Sequence, residues 1–92
     1  MATPESVVVQ KIRTYLKNKG YLTLNMMQVN PSGVPDMLVI SPLEEYVWLE
    51  IKAPGGRLSP IQSNMHSTLR TYNCEVYTVE SLERVIEIFK DK

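Results

Sequence analysis

A chain of 92 residues with a 43% hydrophobic and 22% charged fraction has enough material for one small α/β domain, spanning 1–92, and leaves no room for a second. One cysteine, Cys74, and one histidine, His66, exclude an intrachain disulfide, a Cys-based zinc cluster and a His-rich metal site, so any bound metal would have to be held by carboxylates. Ten Lys and Arg balance ten Asp and Glu; no run approaches the roughly 18 apolar residues of a membrane span, and Met1-Ala2-Thr3-Pro4-Glu5 lacks a secretory pattern, so a cytoplasmic protein with no membrane partner is expected.

In chain order, Thr3-Pro4-Glu5 reads as a helix start, with Thr3 as N-cap and proline at the first helical position. Val8, Ile12, Tyr15 and Leu16 recur at helical spacing and Gly20 is the stop signal, so a helix is expected over 4–19. Residues 21–29 alternate Leu22, Leu24 and Met26 against Thr23 and Asn25, the pattern of a half-buried strand. Asn30-Pro31-Ser32-Gly33-Val34-Pro35 then forms a stiff loop. Met37-Leu38-Val39-Ile40 and Tyr46-Val47-Trp48-Leu49 are two apolar strand runs separated by Ser41-Pro42-Leu43-Glu44-Glu45, a hairpin signal. Ser59-Pro60-Ile61-Gln62 is a capping box opening a helix that ends near Tyr72, with Ile61, Met65 and Leu69 as its apolar stripe. Glu75-Val76-Tyr77-Thr78-Val79 is a fourth strand, reached by a crossover that implies parallel pairing, and Leu82, Val85, Ile86 and Phe89 mark a last helix over about 81–90. The order is α-β-β-β-α-β-α, an α/β fold with a mixed sheet flanked by helices.

Chemistry concentrates in Gly33-Val34-Pro35-Asp36 and Glu50-Ile51-Lys52. Side chains on a strand alternate faces, so Glu50 and Lys52 point the same way and Ile51 the other. A hairpin bend centred on Leu43 would set Asp36 across from Glu50 at a Cβ separation of roughly 5 Å. Two carboxylates so close repel unless a cation lies between them, and a divalent ion with oxygen ligands is the usual solution. Magnesium fits best, because it accepts one or two protein carboxylates and leaves its other positions to water and substrate phosphate, the arrangement of phosphodiester hydrolysis. Lys52 would either steady the charge developing on phosphorus or position the attacking water. Pro-Asp after Gly is also ordinary turn chemistry, and Glu-x-Lys an ordinary same-face ion pair, but their joint occurrence at hairpin spacing on apolar strands favours a site.

Gly33-x-Pro35-Asp36, Glu50-x-Lys52 and Gln62 together resemble the VRR-NUC domain (virus-type replication-repair nuclease), a branch of the PD-(D/E)xK restriction-endonuclease-like nucleases, over nearly the whole chain. The resemblance implies an αβββαβ restriction-endonuclease-like core. It implies a Mg²⁺- or Mn²⁺-dependent DNA endonuclease, working as a homodimer on branched DNA such as four-way (Holliday) junctions, in DNA repair or recombination within a bacterial or viral-host cell. It also implies that Glu5, on the first helix, joins Asp36 and Glu50 as metal ligands, that the main-chain carbonyl of Ile51 is a further ligand, and that Gln62 belongs with Asp36, Glu50 and Lys52 in the catalytic set.

Each peripheral residue has a structural explanation beside the functional one. An acid at Glu5 is favoured by the helix dipole, and the capping box alone accounts for Gln62. Gly33, which permits close backbone approach, and Arg57, in the Ala53–Leu58 loop after the active strand, are the candidate substrate contacts. Lys11, Lys17 and Lys19 read as a solvated helix face, His66 and Arg70 as surface residues one turn apart, and Trp48 and Tyr77 as core. Met26, Met27 and Met65 read as packing or interface residues. Neutral net charge keeps a second class open, a DNA-binding or assembly module with the nuclease fold and little cleavage. Residues 1–70 nevertheless carry seven basic groups against five acidic ones, three of which a bound metal would neutralise.

Overall fold

The computed structural model describes residues 4–26 and 32–92. Thr3, Met27, Asn30, Pro31 and the 27–29 end of the expected first strand lie outside the described residues. The elements follow the expected order: α1 (Pro4–Asn18), β1 (Leu22–Asn25), β2 (Met37–Ile40), β3 (Tyr46–Ile51), α2 (Pro60–Thr71), β4 (Glu75–Val79) and α3 (Leu82–Phe89).

Helix α1 ends one residue before the expected boundary. Gly20 takes φ +88°, a left-handed conformation that costs glycine little, and its N–H donates to Lys17 O while the Tyr21 N–H donates to Leu16 O, both at 3.0 Å. Helix α2 opens on the full capping box: the Gln62 N–H donates to Ser59 Oγ, and the Ser59 N–H donates to Gln62 Oε1.

The four strands form one sheet in the order β1-β2-β3-β4, antiparallel for the first two pairings and parallel between β3 and β4. The hairpin tip lies where the sequence placed it. Ser41 and Glu45 close the turn through a 2.9 Å backbone bond, Glu44 takes the positive φ, and Leu43 stands exposed at the apex.

Strand alternation divides the sheet into two faces. One carries Met37, Val39, Val47, Leu49, Ile51 and Val79, which pack against Ile12 and Leu16 of α1 and Val85 and Phe89 of α3 to form the core. Tyr21 and Phe89 meet with ring centroids 5.4 Å apart at its margin. Tyr77 is half-buried against this core.

The opposite face carries Glu50, Trp48 and Val76 and receives α2, which packs against β4. Trp48 is half-buried there and does not join the core cluster. Helix α2 leaves the β1 side of this face open, so Leu22 (56% exposed), Leu24 (40%) and Tyr46 (56%) form an apolar surface with the half-buried Leu38 and Ile40. This corrects the reading of β1 as half-buried through its leucines: Thr23 is the sheltered residue, because only its face lies under a helix. Among the described residues, no helix is long and apolar enough to cross a membrane.

Candidate active site

The β2–β3 register brings the two motifs together. Met37 pairs with Leu49, so one step further out Asp36 stands beside Glu50. Asp36 is fixed twice: its backbone carbonyl accepts the Met26 N–H at 2.8 Å, and its Oδ2 accepts the Ile51 N–H at 2.9 Å. The carboxylate thus occupies the place where the ladder would otherwise continue. Ile51 buries its side chain in the core, which carries its backbone between Glu50 and Lys52 past Asp36.

Glu50 is 1% exposed and shares the α2 face with three polar neighbours. Lys52 Nζ lies 3.8 Å from Glu50 Oε2, and Gln62 donates to the same oxygen through Nε2 at 3.3 Å. His66 Nε2 approaches the other oxygen, Oε1, at 3.5 Å. Neither that oxygen nor either His66 ring nitrogen has a hydrogen-bond partner.

Burial pushes the Glu50 carboxyl up to about 8 from an ordinary value of 4.5; the adjacent Asp36 carboxyl and the charge of Glu5 push the same way, against the pull of Lys52. Near neutral pH the metal-free protein therefore favours a protonated Glu50. Burial likewise lowers His66, with the nearby charges of Arg70 and Lys52 adding to it and Asp36 opposing.

A cavity of about 430 Å³ opens beside Asp36, lined by Glu5, Gln10, Arg13 and Asn25 among others. Arg13 Nη2 donates to Asn25 Oδ1 at 2.9 Å, which stations a guanidinium at the wall of the cavity that Glu5 and Asp36 also line. A larger hollow of about 760 Å³ runs along α1 to Leu82, but it is mostly apolar and holds no carboxylate among its described lining residues.

Most of the residues expected from the sequence converge. Asp36, Glu50, Ile51, Lys52 and Gln62 are joined by the contacts above, and Gln62 makes two of them at once: Oε1 closes the capping box and Nε2 reaches Glu50. Glu5 is exposed in the first turn of α1 and shares the cavity with Asp36. Among the described residues no three His, Cys, Asp or Glu side chains cluster closely enough to hold an ion. Gly33, at φ +88°, approaches Ile61 of α2 closely, and Arg57 is exposed in its loop.

His66 is the main correction: it is fully buried against Glu50 and not a surface residue. Its spacing from Gln62, one helical turn, was the signal for it. Arg70, the other residue of that pair, is exposed and ties α2 to β4 by donating to Val76 O at 2.8 Å. Arg13 also went unnoticed as a site residue, although it lies two turns along α1 from Glu5.

The donor set suits a hard divalent cation. An orphaned, buried carboxylate oxygen next to a second carboxylate is a group that a cation would satisfy, and magnesium is commonly held by two carboxylates with its other positions given to carbonyl oxygen and water.

Comparison with known proteins agrees with this architecture. The sequence profile of the VRR-NUC domain matches residues 3–82. A solved structure described as a VRR_NUC domain superimposes with a TM-score of 0.88 at 27% sequence identity, covering 97% of this chain and 97% of that one. A search of curated proteins found no match to the chain. With the profile spanning most of its length and the same fold throughout, the chain belongs to the VRR-NUC family, a family of nuclease domains.

Proposed function

We propose that this protein is a Mg²⁺- or Mn²⁺-dependent DNA endonuclease that hydrolyses phosphodiester bonds. The observation that carries the reading is the half-buried Asp36 beside the buried Glu50, with Lys52 Nζ 3.8 Å from Glu50 Oε2. Asp36 and Glu50, with the Ile51 carbonyl, would hold the ion, and Glu5 would contribute from across the cavity. When bound, such an ion polarises a phosphoryl oxygen and makes a water nucleophilic near neutral pH. Lys52 contributes a compact cation at the reacting phosphate, where it steadies developing charge or orients the water. Gln62 holds Glu50 in place, and Arg13 and Arg57 supply guanidinium groups for flanking phosphates.

Branched DNA and a homodimer belong to the same proposal. A domain with principal dimensions of 35 × 32 × 22 Å offers little surface for a branched substrate, whereas a two-fold pair supplies two cutting sites. The exposed row of Leu22, Leu24 and Tyr46 is apolar surface of the kind that self-association covers. A binding or assembly module is the second reading, favoured by the zero net charge.

Labelled four-way junction, flap and linear duplex, incubated with the protein in magnesium or manganese with and without chelator, separate the two. The nuclease yields product only with the metal and favours the branched substrates. Retained DNA binding in chelator, with no product under any condition, identifies the binding module instead.

A further inference from the structure

We infer that His66 is a positioning residue for Glu50: with Gln62 it grips the two oxygens of one carboxylate from a single face of α2 and so sets the affinity of the site for a divalent ion. The inference rests on the proposed metal site and adds to it a residue that neither the motifs nor the capping pattern supplied.

Helix geometry makes the grip possible. Positions four apart lie on one face of a helix, so Gln62 and His66 present their side chains side by side. Gln62 takes Oε2 at 3.3 Å and His66 faces Oε1 at 3.5 Å. The helix is fastened on both sides of His66. The Ser59–Gln62 capping box and the close seat of Gly33 against Ile61 fix its start, and the Arg70 bond to Val76 O fixes its end to β4.

A purely structural role explains this residue poorly. An imidazole with 0% exposure and no hydrogen bond on either nitrogen is costly in a protein interior, where an apolar side chain would pack without that penalty. The unpartnered oxygen of Glu50 is the polar atom it faces. Closing the gap to an ordinary hydrogen bond takes a shift of only about half an ångström. An imidazole presents an N–H in either protonation state, so the grip requires no titration of His66. Groups that hydrogen-bond a ligating carboxylate hold its orientation, and their loss commonly lowers metal affinity ~10–100-fold.

The test is calorimetric titration of Mn²⁺ into wild type, His66→Phe, His66→Leu and His66→Gln, with melting temperatures measured alongside. Phenylalanine keeps the ring without the N–H, leucine is the alternative if that ring does not fit, and glutamine restores a donor. The expected result is a Mn²⁺ dissociation constant raised ~10–100-fold in the folded apolar variants and largely recovered in His66→Gln. The apolar variants melt no lower than wild type. Cleavage at saturating Mn²⁺ stays within several-fold, because the reacting groups are intact. An apolar variant that binds Mn²⁺ as wild type does overturns the positioning role alone, as does a His66→Gln variant shifted as far as His66→Phe. A wild-type protein that binds no Mn²⁺ overturns the metal site itself.

Discussion

Replacing Glu50 with glutamine is expected to abolish metal-dependent cleavage and, at the same time, to stabilise the metal-free protein at alkaline pH. The first effect follows from removing one of two carboxylates: a bound ion contributes several kcal/mol to the transition state, so the rate should fall by about a thousandfold or more. The second follows from proton linkage. The folded Glu50 carboxyl is raised to about 8 from 4.5. An acid whose folded value lies above its unfolded value contributes stability that is complete below the unfolded value and is lost as pH rises through the folded one. Between pH 4.5 and 8 the unfolded chain gives up this proton while the fold keeps it, so the metal-free fold loses on the order of a few kcal/mol across the window. Glutamine has no proton to lose and keeps a partner for Gln62. Melting curves in chelator should show wild type losing stability across that window, with Glu50→Gln flatter and more stable above pH 8. Added Mn²⁺ should rescue wild type most at high pH and leave the variant unchanged. A wild-type melting temperature that rises steadily from pH 5 to 9 in chelator contradicts this account of Glu50.

Gly33→Ala is expected to be the most damaging small substitution in the chain. The residue sits at φ +88°, where a side chain is strained by about 1–2 kcal/mol. A Cβ there would also stand 2.6 Å from Ile61 O and 2.9 Å from Ile61 Cγ2, and the oxygen belongs to the backbone of the first turn of α2. The turn has to move, and with it Gln62, whose Nε2 contacts Glu50. A stability loss of at least about 2 kcal/mol in urea unfolding is expected, together with a cleavage rate down by about tenfold or more in protein that remains folded. Gly55→Ala is the control: it has a similar φ, +82°, but no atom within 4 Å of the added Cβ, so the strain is present without the collision. Equal losses in the two variants would show that the contact with α2 contributes nothing.

Local signals in the sequence were enough for the hairpin and therefore for the central pair. The Ser41–Glu45 turn fixed the register, and register alone places Asp36 beside Glu50. Gly20 and the Ser59–Gln62 box likewise marked helix boundaries through backbone chemistry that acts within a few residues. Misreadings arose where the outcome depended on which face a distant element covers. Alternation in β1 shows that its two faces differ, but α1 shelters the Thr23 face and α2 stops short of the leucines. In α2 the apolar stripe was right for Met65 and Leu69, both half-buried, and wrong at its first position. Ile61 is 60% exposed, whereas the buried position is His66, one place beyond the half-buried Met65. The inward face of that helix mixes Met65 and Leu69 with Gln62 and His66, the two polar residues that meet the Glu50 carboxylate, and such conflicts between pattern and burial concentrate at functional sites.

The most direct test is single-turnover cleavage of a labelled four-way junction in Mg²⁺ by wild type, Asp36→Ala and Lys52→Ala, with circular dichroism confirming that each variant is folded. Metal-dependent cutting by wild type, abolished in Asp36→Ala and reduced at least about a hundredfold in Lys52→Ala, is the predicted result. Folded variants that cut the junction as fast as wild type would show that the chemistry lies elsewhere.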